Sequence, residues 1–414
     1  VHPKSLFRGR RFGFLLTALA LGAAALTTVL PIRAATAMAL ILVDAESGKV
    51  LRAENATYPW YPASTTKLMT LYMTLSAIRD QRITPDTLFT VSANANGQSP
   101  TKMGFAVGTQ VTVDNAIKMM MVKSANDMAV VLAEGVGGSV EAFAQRMTEA
   151  AHRLGMTESN FVNPNGLPDD GQIVSARDLA ILARALIRQF PEYSSYWHVP
   201  AIKYGRRVVR NYNPLLGRYS GADGMKTGFI CSSGFNLVAT ATRDNRQLIA
   251  VVLGAPTSAA RAQKAAELLE SGFARSVFAW LLPAFGNVNA LAPIEAAPPD
   301  LKDDMCGPHR KRHKLEAAMA DSADPDAGEG SDNAGGETNS QNPNPVTALR
   351  APVPKNLLSE PGPVTPVVVY TGPTRTAEQI AALAALPAYE PSKKKDKHKG
   401  GAKTAEAKQV EGKP

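Results

Sequence analysis

The sequence predicts an α+β fold, an antiparallel sheet with helical layers, and three observations predict it. A strand-turn-strand pattern comes first: residues 39–44 form an apolar run, Glu46-Ser47-Gly48 a turn and Val50-Leu51-Arg52 the return. Between residues 67 and 186 apolar side chains then recur at three and four, the period of helices that bury one stripe. From residue 225 to 253 the period changes to two or to short apolar runs, so strands return. An early hairpin and three late strands with helices between them fit one antiparallel sheet with a helical layer.

The first helix starts after Pro62, with a serine in its first turn, and runs through Lys67-Leu68-Met69-Thr70-Leu71-Tyr72-Met73-Thr74-Leu75. Residues 114–154 hold further helical patterns, among them 125–132 and 140–147, and Ser175 suits the N-cap of another through Leu179, Leu182 and Leu186. Late strands are expected at 225–230, 235–242 and 247–253, with a closing helix over 261–282. From about Pro283 the composition turns to Pro, Gly, Ala and Asn with few large apolar residues. Such a segment buries too little surface to offset its ordering entropy, so residues 286–414 are expected to be a largely disordered tail. Inside it, Thr376 and Gln379 form a capping box ahead of Ile380, Leu383 and Leu386, the one helix expected there.

At the other end Lys4, Arg8, Arg10 and Arg11 precede an apolar run from Phe12 to Leu30 and then Ala35-Thr36-Ala37. This is the three-part pattern of a secretory signal peptide, expected over residues 1–37. The alternative is an uncleaved membrane anchor, because the run is nearly long enough to span a bilayer. Either reading places residues 38–285, the globular domain, outside the cytoplasm, periplasmic or otherwise extracytoplasmic.

A formal charge of +9 suggests a nucleic-acid partner until it is located. The four basic residues before Phe12 give +4, and residues 391–414, with eight lysines against Asp396, Glu406 and Glu411, give +5. A neutral body between two basic ends argues against a nucleic-acid groove, and no nucleic acid is expected as a partner. The lysine-rich end is either a solvated tail or a contact for anionic lipid or cell-wall polymer. Cys231 and Cys306 sit in an exported chain, where disulfides persist, so a bridge and two free thiols both remain open. Cys306, His309 and His313 have a loose ligand spacing, but Arg310, Lys311, Arg312 and Lys314 crowd them and no fourth ligand is in view, so no metal is expected.

Three short motifs carry the chemistry: Ser64-Thr65-Thr66-Lys67, Ser124-Ala125-Asn126 and Lys226-Thr227-Gly228. Each is weak alone, since Ser-x-x-Lys recurs at Ser99 and Ser392 and Ser-x-Asn at Ser92 and Ser331. Only Ser64 leads into a continuous helical stretch, where a spacing of three puts it one turn from Lys67 on the same face. Lys226-Thr227-Gly228 occurs once, after the turn signal Asp223-Gly224.

With these flanks the chain resembles the penicillin-recognising serine enzymes. More narrowly it resembles the low-molecular-mass D-alanyl-D-alanine carboxypeptidases. The narrower likeness rests on residues 62–70 (Pro-Ala-Ser-Thr-Thr-Lys-Leu-Met-Thr), Ser124-Ala125-Asn126-Asp127, Asn163-Pro164-Asn165-Gly166-Leu167 and Gly224-Met225-Lys226-Thr227-Gly228, all in the family's order across about residues 38–285. It implies the fold of that family for the globular domain. It also implies a hydrolase that removes the terminal D-alanine of peptidoglycan stem peptides ending in D-Ala-D-Ala, binds β-lactams covalently and uses no cofactor.

That chemistry needs a nucleophile, a base, an acid for the leaving amine and donors for an oxyanion. Ser64 suits the nucleophile, and Lys67 suits the base if burial and a second cation, Lys226, lower its pKa from the usual ~10.4. By the resemblance, Ser124 relays a proton to the departing D-alanine, and Asn126 holds Lys67 and the substrate amide. Lys226 and Thr227 suit a terminal carboxylate. Gly228 permits close backbone approach, and the backbone N–H groups of Ser64 and Phe229 are the expected oxyanion donors. Arg261 lies where the family has a carboxylate-binding arginine, or it simply starts a solvated helix. The family's Asn-Arg-Asn is replaced here by Asn211-Tyr212-Asn213. His152 and His198 read as surface or packing residues.

Two alternatives belong to other classes. A serine β-lactamase shares the motifs but needs a glutamate that drives water onto the acyl-enzyme, and between Leu154 and Asp178 only Glu158 is present, in the wrong setting. A non-catalytic cell-wall scaffold would keep the pocket and recruit partners through the tail, yet no motif is broken.

Overall fold

The structure is a computed structural model that describes residues 38–274, 286–307 and 357–389. The expected signal peptide, residues 1–37, and the lysine-rich end lie outside these residues, as do residues 275–282 of the expected closing helix. Among the described residues no helix is long and apolar enough to cross a membrane.

Five strands form the central antiparallel sheet: β1 (Ala39–Asp44), β2 (Val50–Glu54), β7 (Ala222–Ile230), β8 (Gly234–Arg243) and β9 (Arg246–Ala255), in the order β2-β1-β9-β8-β7. β1 and β9 are neighbours although far apart in sequence, with Leu40 opposite Val252 and Leu42 opposite Ala250. Alternate residues of these strands serve two cores. Ile41, Val43, Val238, Ile249, Val251 and Leu253 face one side, whereas Leu40, Leu42, Leu237, Leu248, Ala250 and Val252 face the other. A strand buried on both faces reads as a continuous apolar run, which is why these segments lacked clean alternation.

The second core is closed by helix α8 (Ser258–Phe273) through Ala262, Ala265, Ala266, Leu268 and Leu269. It begins earlier than residue 261, because the Thr257 side chain accepts the Ala260 N–H as a cap. The first core is larger and holds helix α1 (Lys67–Arg79), whose apolar residues lie on every side, as a helix surrounded by others requires. Around α1 stand α3 (Val113–Val122), α4 (Asn126–Gly137), α5 (Val140–Leu154) and α6 (Ala176–Gln189). Ser139 and Ser175 cap α5 and α6 through their hydroxyls. Helix α2 (Ala93–Gly97) and the ribbon of β3 (Leu88–Thr90) with β4 (Gln110–Thr112) complete this layer, and α7 (Ser195–His198) leads out of it.

The disorder expected after residue 286 is corrected for two stretches. Residues 286–307 lie along the body, burying Val288, Leu301 and Met305, and include a short helix, α9 (Lys302–Cys306). Residues 357–389 return to it: β10 (Val367–Val369) pairs in parallel with β5 (Ala201–Tyr204), itself paired with β6 (Arg207–Arg210). Val369 and Tyr370 are buried, and the expected capping box of Thr376 and Gln379 starts α10 (Ala377–Ala385). Average composition missed these stretches because they do not build a core of their own. They take order from a surface already folded, through a few apolar anchors and one disulfide, Cys231–Cys306. That bridge settles the open question of the cysteines and removes Cys306 from any metal site.

Candidate active site

The residues before α1 form a 3-10 turn, Ala63–Thr66, that presents Ser64 half-buried while Lys67 behind it is fully buried. Ala63 stands in the left-handed region at φ 48°, a conformation that needs outside support in a residue with a Cβ. Gly166 supplies it from the opposite wall. Its own φ is +80°, and a Cβ there would fall 1.8 Å from the Ala63 carbonyl oxygen. The Asn163–Leu167 turn is fastened to the helix by the Thr70 hydroxyl, which donates to the Pro164 carbonyl at 2.6 Å. From the sheet side, the Asn236 Nδ2 donates to the carbonyls of Tyr61 and Pro62 at 2.9 and 3.1 Å.

Lys67 Nζ has three partners: Ser64 Oγ at 2.8 Å, Asn126 Oδ1 at 2.7 Å and the Asn165 carbonyl at 2.7 Å. The two amide oxygens only accept. A neutral amine donates two N–H groups and has one lone pair, so these partners suit a neutral Lys67 that accepts from the Ser64 hydroxyl. Burial pushes its pKa well below the ordinary lysine value, and the Lys226 cation pushes it further down, outweighing the opposite pull of Asp127.

Ser124 lies in the turn between α3 and α4 at φ 59° and is buried. Its hydroxyl is 3.0 Å from Lys226 Nζ, which also reaches the Thr227 carbonyl at 3.0 Å. Asn126 begins α4 and spans the site, its Nδ2 donating to the Ser99 carbonyl at 2.8 Å while its Oδ1 faces Lys67. Next to it, the buried Asp127 carboxylate accepts the N–H groups of Met103 and Gly104, fixing the loop that forms this wall. Burial and then the nearby Arg261 guanidinium lower the Lys226 pKa to about 7.

β7 is the edge strand of the sheet, so one of its sides is free of β8 and faces the Ser64 turn. Gly228 makes this closeness possible, since a Cβ there would lie 2.9 Å from the Ser64 nitrogen and 3.0 Å from the Pro62 carbonyl. Thr227 is buried beside it. Phe229 is half-buried and packs tilted against Phe235 with ring centroids 4.2 Å apart. Arg261 is no solvated helix residue. It is buried, reaches the Asn236 carbonyl at 3.3 Å and the Ser258 hydroxyl at 3.0 Å, and sits over the Phe235 ring.

Ser64, Lys67, Ser124, Asn126, Lys226, Thr227 and Gly228 thus converge from three segments, with Arg261 behind Lys226. Asn211 and Asn213 spend their side chains on a local turn, Asn211 on the Asn213 N–H and Val199 carbonyl and Asn213 on the Leu215 N–H. His152 faces the Ser159 carbonyl at 3.1 Å, and His198 packs edge-on to Trp197; neither touches the site. Sequence reasoning missed the Asn165 carbonyl and Asn236. The Pro164-Asn165-Gly166 turn signal was the available pointer to the first. The second had none. Among the described residues no group of three or more His, Cys, Asp or Glu could hold a metal.

Comparison with known proteins points the same way. Over 244 residues the chain is 37% identical to the D-alanyl-D-alanine carboxypeptidase DacA of Haemophilus influenzae, a match covering 58% of this chain and 62% of that protein. The chain therefore spans about three fifths of that relative's length. Among solved structures it is similar to penicillin binding protein 5 from Haemophilus influenzae, with TM-score 0.55, 36% identity and coverage of 57% and 71% of the two chains. It is also similar to Penicillin-Binding Protein D2 from Listeria monocytogenes in its ampicillin-bound form, with TM-score 0.51, 29% identity and coverage of 58% and 98%. The family model described as D-alanyl-D-alanine carboxypeptidase matches residues 25–257, more than half of the chain, and takes in every motif of the site but Arg261; the chain belongs to that family.

Proposed function

We propose that this chain is an exported serine-type D-Ala-D-Ala carboxypeptidase acting on peptidoglycan stem peptides. One observation carries the reading: a fully buried lysine of lowered pKa, 2.8 Å from a half-exposed serine hydroxyl. Lys67 takes the Ser64 proton as Oγ attacks the penultimate D-Ala carbonyl. The oxyanion that forms is met by the backbone N–H groups of Ser64 and Phe229. Ser124, linked to Lys226, relays to the departing amine the proton that Lys67 took from Ser64, so Lys67 is neutral again as D-alanine leaves. Water then hydrolyses the ester at Ser64. Lys226 as a cation and Thr227 as a hydroxyl donor hold the terminal carboxylate, with Arg261 adding positive potential behind them. Asn126 orients Lys67 and the substrate amide.

β-Lactams, which the Listeria relative binds as ampicillin, acylate the same serine. Ring opening leaves the amine tethered to the acyl group, so it stays in the site and hinders water. Rapid deacylation, as in a β-lactamase, is not supported. Glu158 accepts from the Ser175 hydroxyl at 2.6 Å and lies 3.8 Å from Arg177 at the start of α6, and burial raises its pKa.

The disulfide supports an extracytoplasmic location. The basic end of residues 391–414 suits anionic lipid or cell-wall polymer. The test of the carboxylate-directed reading is a pair of peptides, diacetyl-Lys-D-Ala-D-Ala and its C-terminal amide. D-alanine released from the acid and nothing from the amide is the expected result. Equal cleavage of both would remove Lys226 and Thr227 from substrate recognition.

A further inference from the structure

Cys231 immediately follows the strand that carries Lys226-Thr227-Gly228, and its partner Cys306 lies beyond the stretch that matches the family. The short turn between β7 and β8 gathers four ties. The bridge holds Cys231 to the end of α9. The Leu301 N–H donates to the Ser232 carbonyl at 3.0 Å. Gly234, at φ +68°, lies so close under Met305 that a Cβ would fall 2.9 Å from its methyl carbon. The Trp60 indole N–H donates to the Ser233 carbonyl at 3.0 Å.

Trp60 is the key to what these ties do. It stands just ahead of Tyr61 and Pro62, the lead into the Ser64 turn, and its backbone is fixed to Val174 by bonds of 2.7 and 2.9 Å. The turn at 231–234 therefore anchors two arms at once. One is β7, which carries Gly228 and Phe229 next to its last residue, Ile230. The other is the chain that presents Ser64. The spacing between the Ser64 and Phe229 N–H groups depends on both arms keeping their places.

We propose that the Cys231–Cys306 bridge, with Leu301 and Met305, is a positioning device that fixes β7 against the Ser64 turn, so that the acylating site reaches full reactivity only in the oxidised chain. It rests on the function proposed above. The bridge touches neither substrate nor the reacting atoms and acts through the strand. Misplacing reacting groups by about an ångström costs on the order of 100-fold in rate, whereas a bridge that only stabilises would leave the folded enzyme's kinetics alone.

The test compares the full chain with the Cys231→Ser/Cys306→Ser double variant at a temperature where both are folded by circular dichroism. The readouts are the second-order acylation constant with penicillin and KM for diacetyl-Lys-D-Ala-D-Ala. The expected result is a loss of about 10- to 100-fold in acylation together with a raised KM. Val369→Ala in the tail strand, a destabilising control remote from the turn, leaves both unchanged. Unchanged acylation and KM in the folded double variant, with only a lower melting temperature, would overturn the proposal. If the double variant does not accumulate folded, the folded wild-type chain is reduced with a small dithiol, capped with iodoacetamide and measured in the same way, with the same two outcomes. A wild-type chain that forms no penicillin adduct overturns the function and, with it, this inference.

Discussion

Lys67 and Lys226 are both fully buried, and each hydrogen-bonds the hydroxyl of a different serine, Lys67 that of Ser64 and Lys226 that of Ser124. Two ammonium groups in one buried site are unfavourable, so the pair holds one proton more readily than two. The Lys226 cation is what lowers Lys67 beyond the effect of burial, while Lys226 itself answers to Arg261. In the function proposed above, the site thereby separates a base on the nucleophile's side from a cation on the carboxylate's side.

A bell-shaped pH dependence of kcat/KM follows. The rising limb reports loss of the Lys67 proton and the falling limb loss of the Lys226 proton, near about 7 in the free enzyme. Binding a carboxylate favours charged Lys226, so the falling limb of kcat moves to higher pH. The profile is read with diacetyl-Lys-D-Ala-D-Ala, and a single rising curve without a falling limb would count against the assignment.

The same shift has a consequence for stability. The folded-state pKa of Lys226 lies below its unfolded value, so between about 7 and the usual ~10.4 the unfolded chain binds more protons. Its contribution is at its lowest below about 7 and grows as pH rises through that window. Between pH 7 and pH 9 wild type should gain about 2 kcal/mol relative to Lys226→Met, at roughly 1.4 kcal/mol per unit of pKa. Urea denaturation at the two pH values measures it, and parallel behaviour of the two proteins would refute it.

Asn126→Asp places a carboxylate where an amide oxygen now lies 2.7 Å from Lys67 Nζ. A neighbouring carboxylate stabilises the ammonium and raises its pKa by roughly 1–3 units. The rising limb of kcat/KM moves to higher pH by a similar amount, and activity at pH 7 falls about tenfold or more. An unmoved limb would detach Asn126 from the control of Lys67.

How much of this was legible depended on what each element asks of its sequence. β8 and β9 were readable from short apolar runs, Leu237-Val238-Ala239 and Leu248-Ile249-Ala250-Val251-Val252-Leu253, and α1 from apolar residues recurring at three to four, although that helix is buried on every side. β5, β6 and β10 are three or four residues long, too short for a period to show; β5 and β6 close a tight hairpin around Gly205-Arg206, and β10 joins β5 from far along the chain. In the candidate site, Ser64, Lys67 and Lys226 stood out in the sequence because the proposed chemistry demands those side chains, and the structure brings them together. Asn165 was not, because it serves through a carbonyl that every residue has. Ser124 was visible as a residue but not as a left-handed turn position, and the buried setting of Arg261 depends on Phe235 and Asn236 from another strand.

Gly166→Ala tests the wall that supports the nucleophile. The new Cβ meets the Ala63 carbonyl and the φ of +80° disfavours a side chain. A loss of about 3 kcal/mol in stability is expected, along with slower acylation in whatever fraction stays folded. Thermal melting and penicillin labelling read the two effects, and a variant as stable and reactive as wild type would show the contact to be unimportant.

The proposed mechanism passes through a covalent intermediate on Ser64. Time-resolved intact mass of the full chain with penicillin, followed by peptide mapping, tests it most directly. One adduct per chain is expected, carried by Ser64, decaying slowly and absent from Ser64→Ala. An adduct elsewhere, or one that persists in Ser64→Ala, would contradict it.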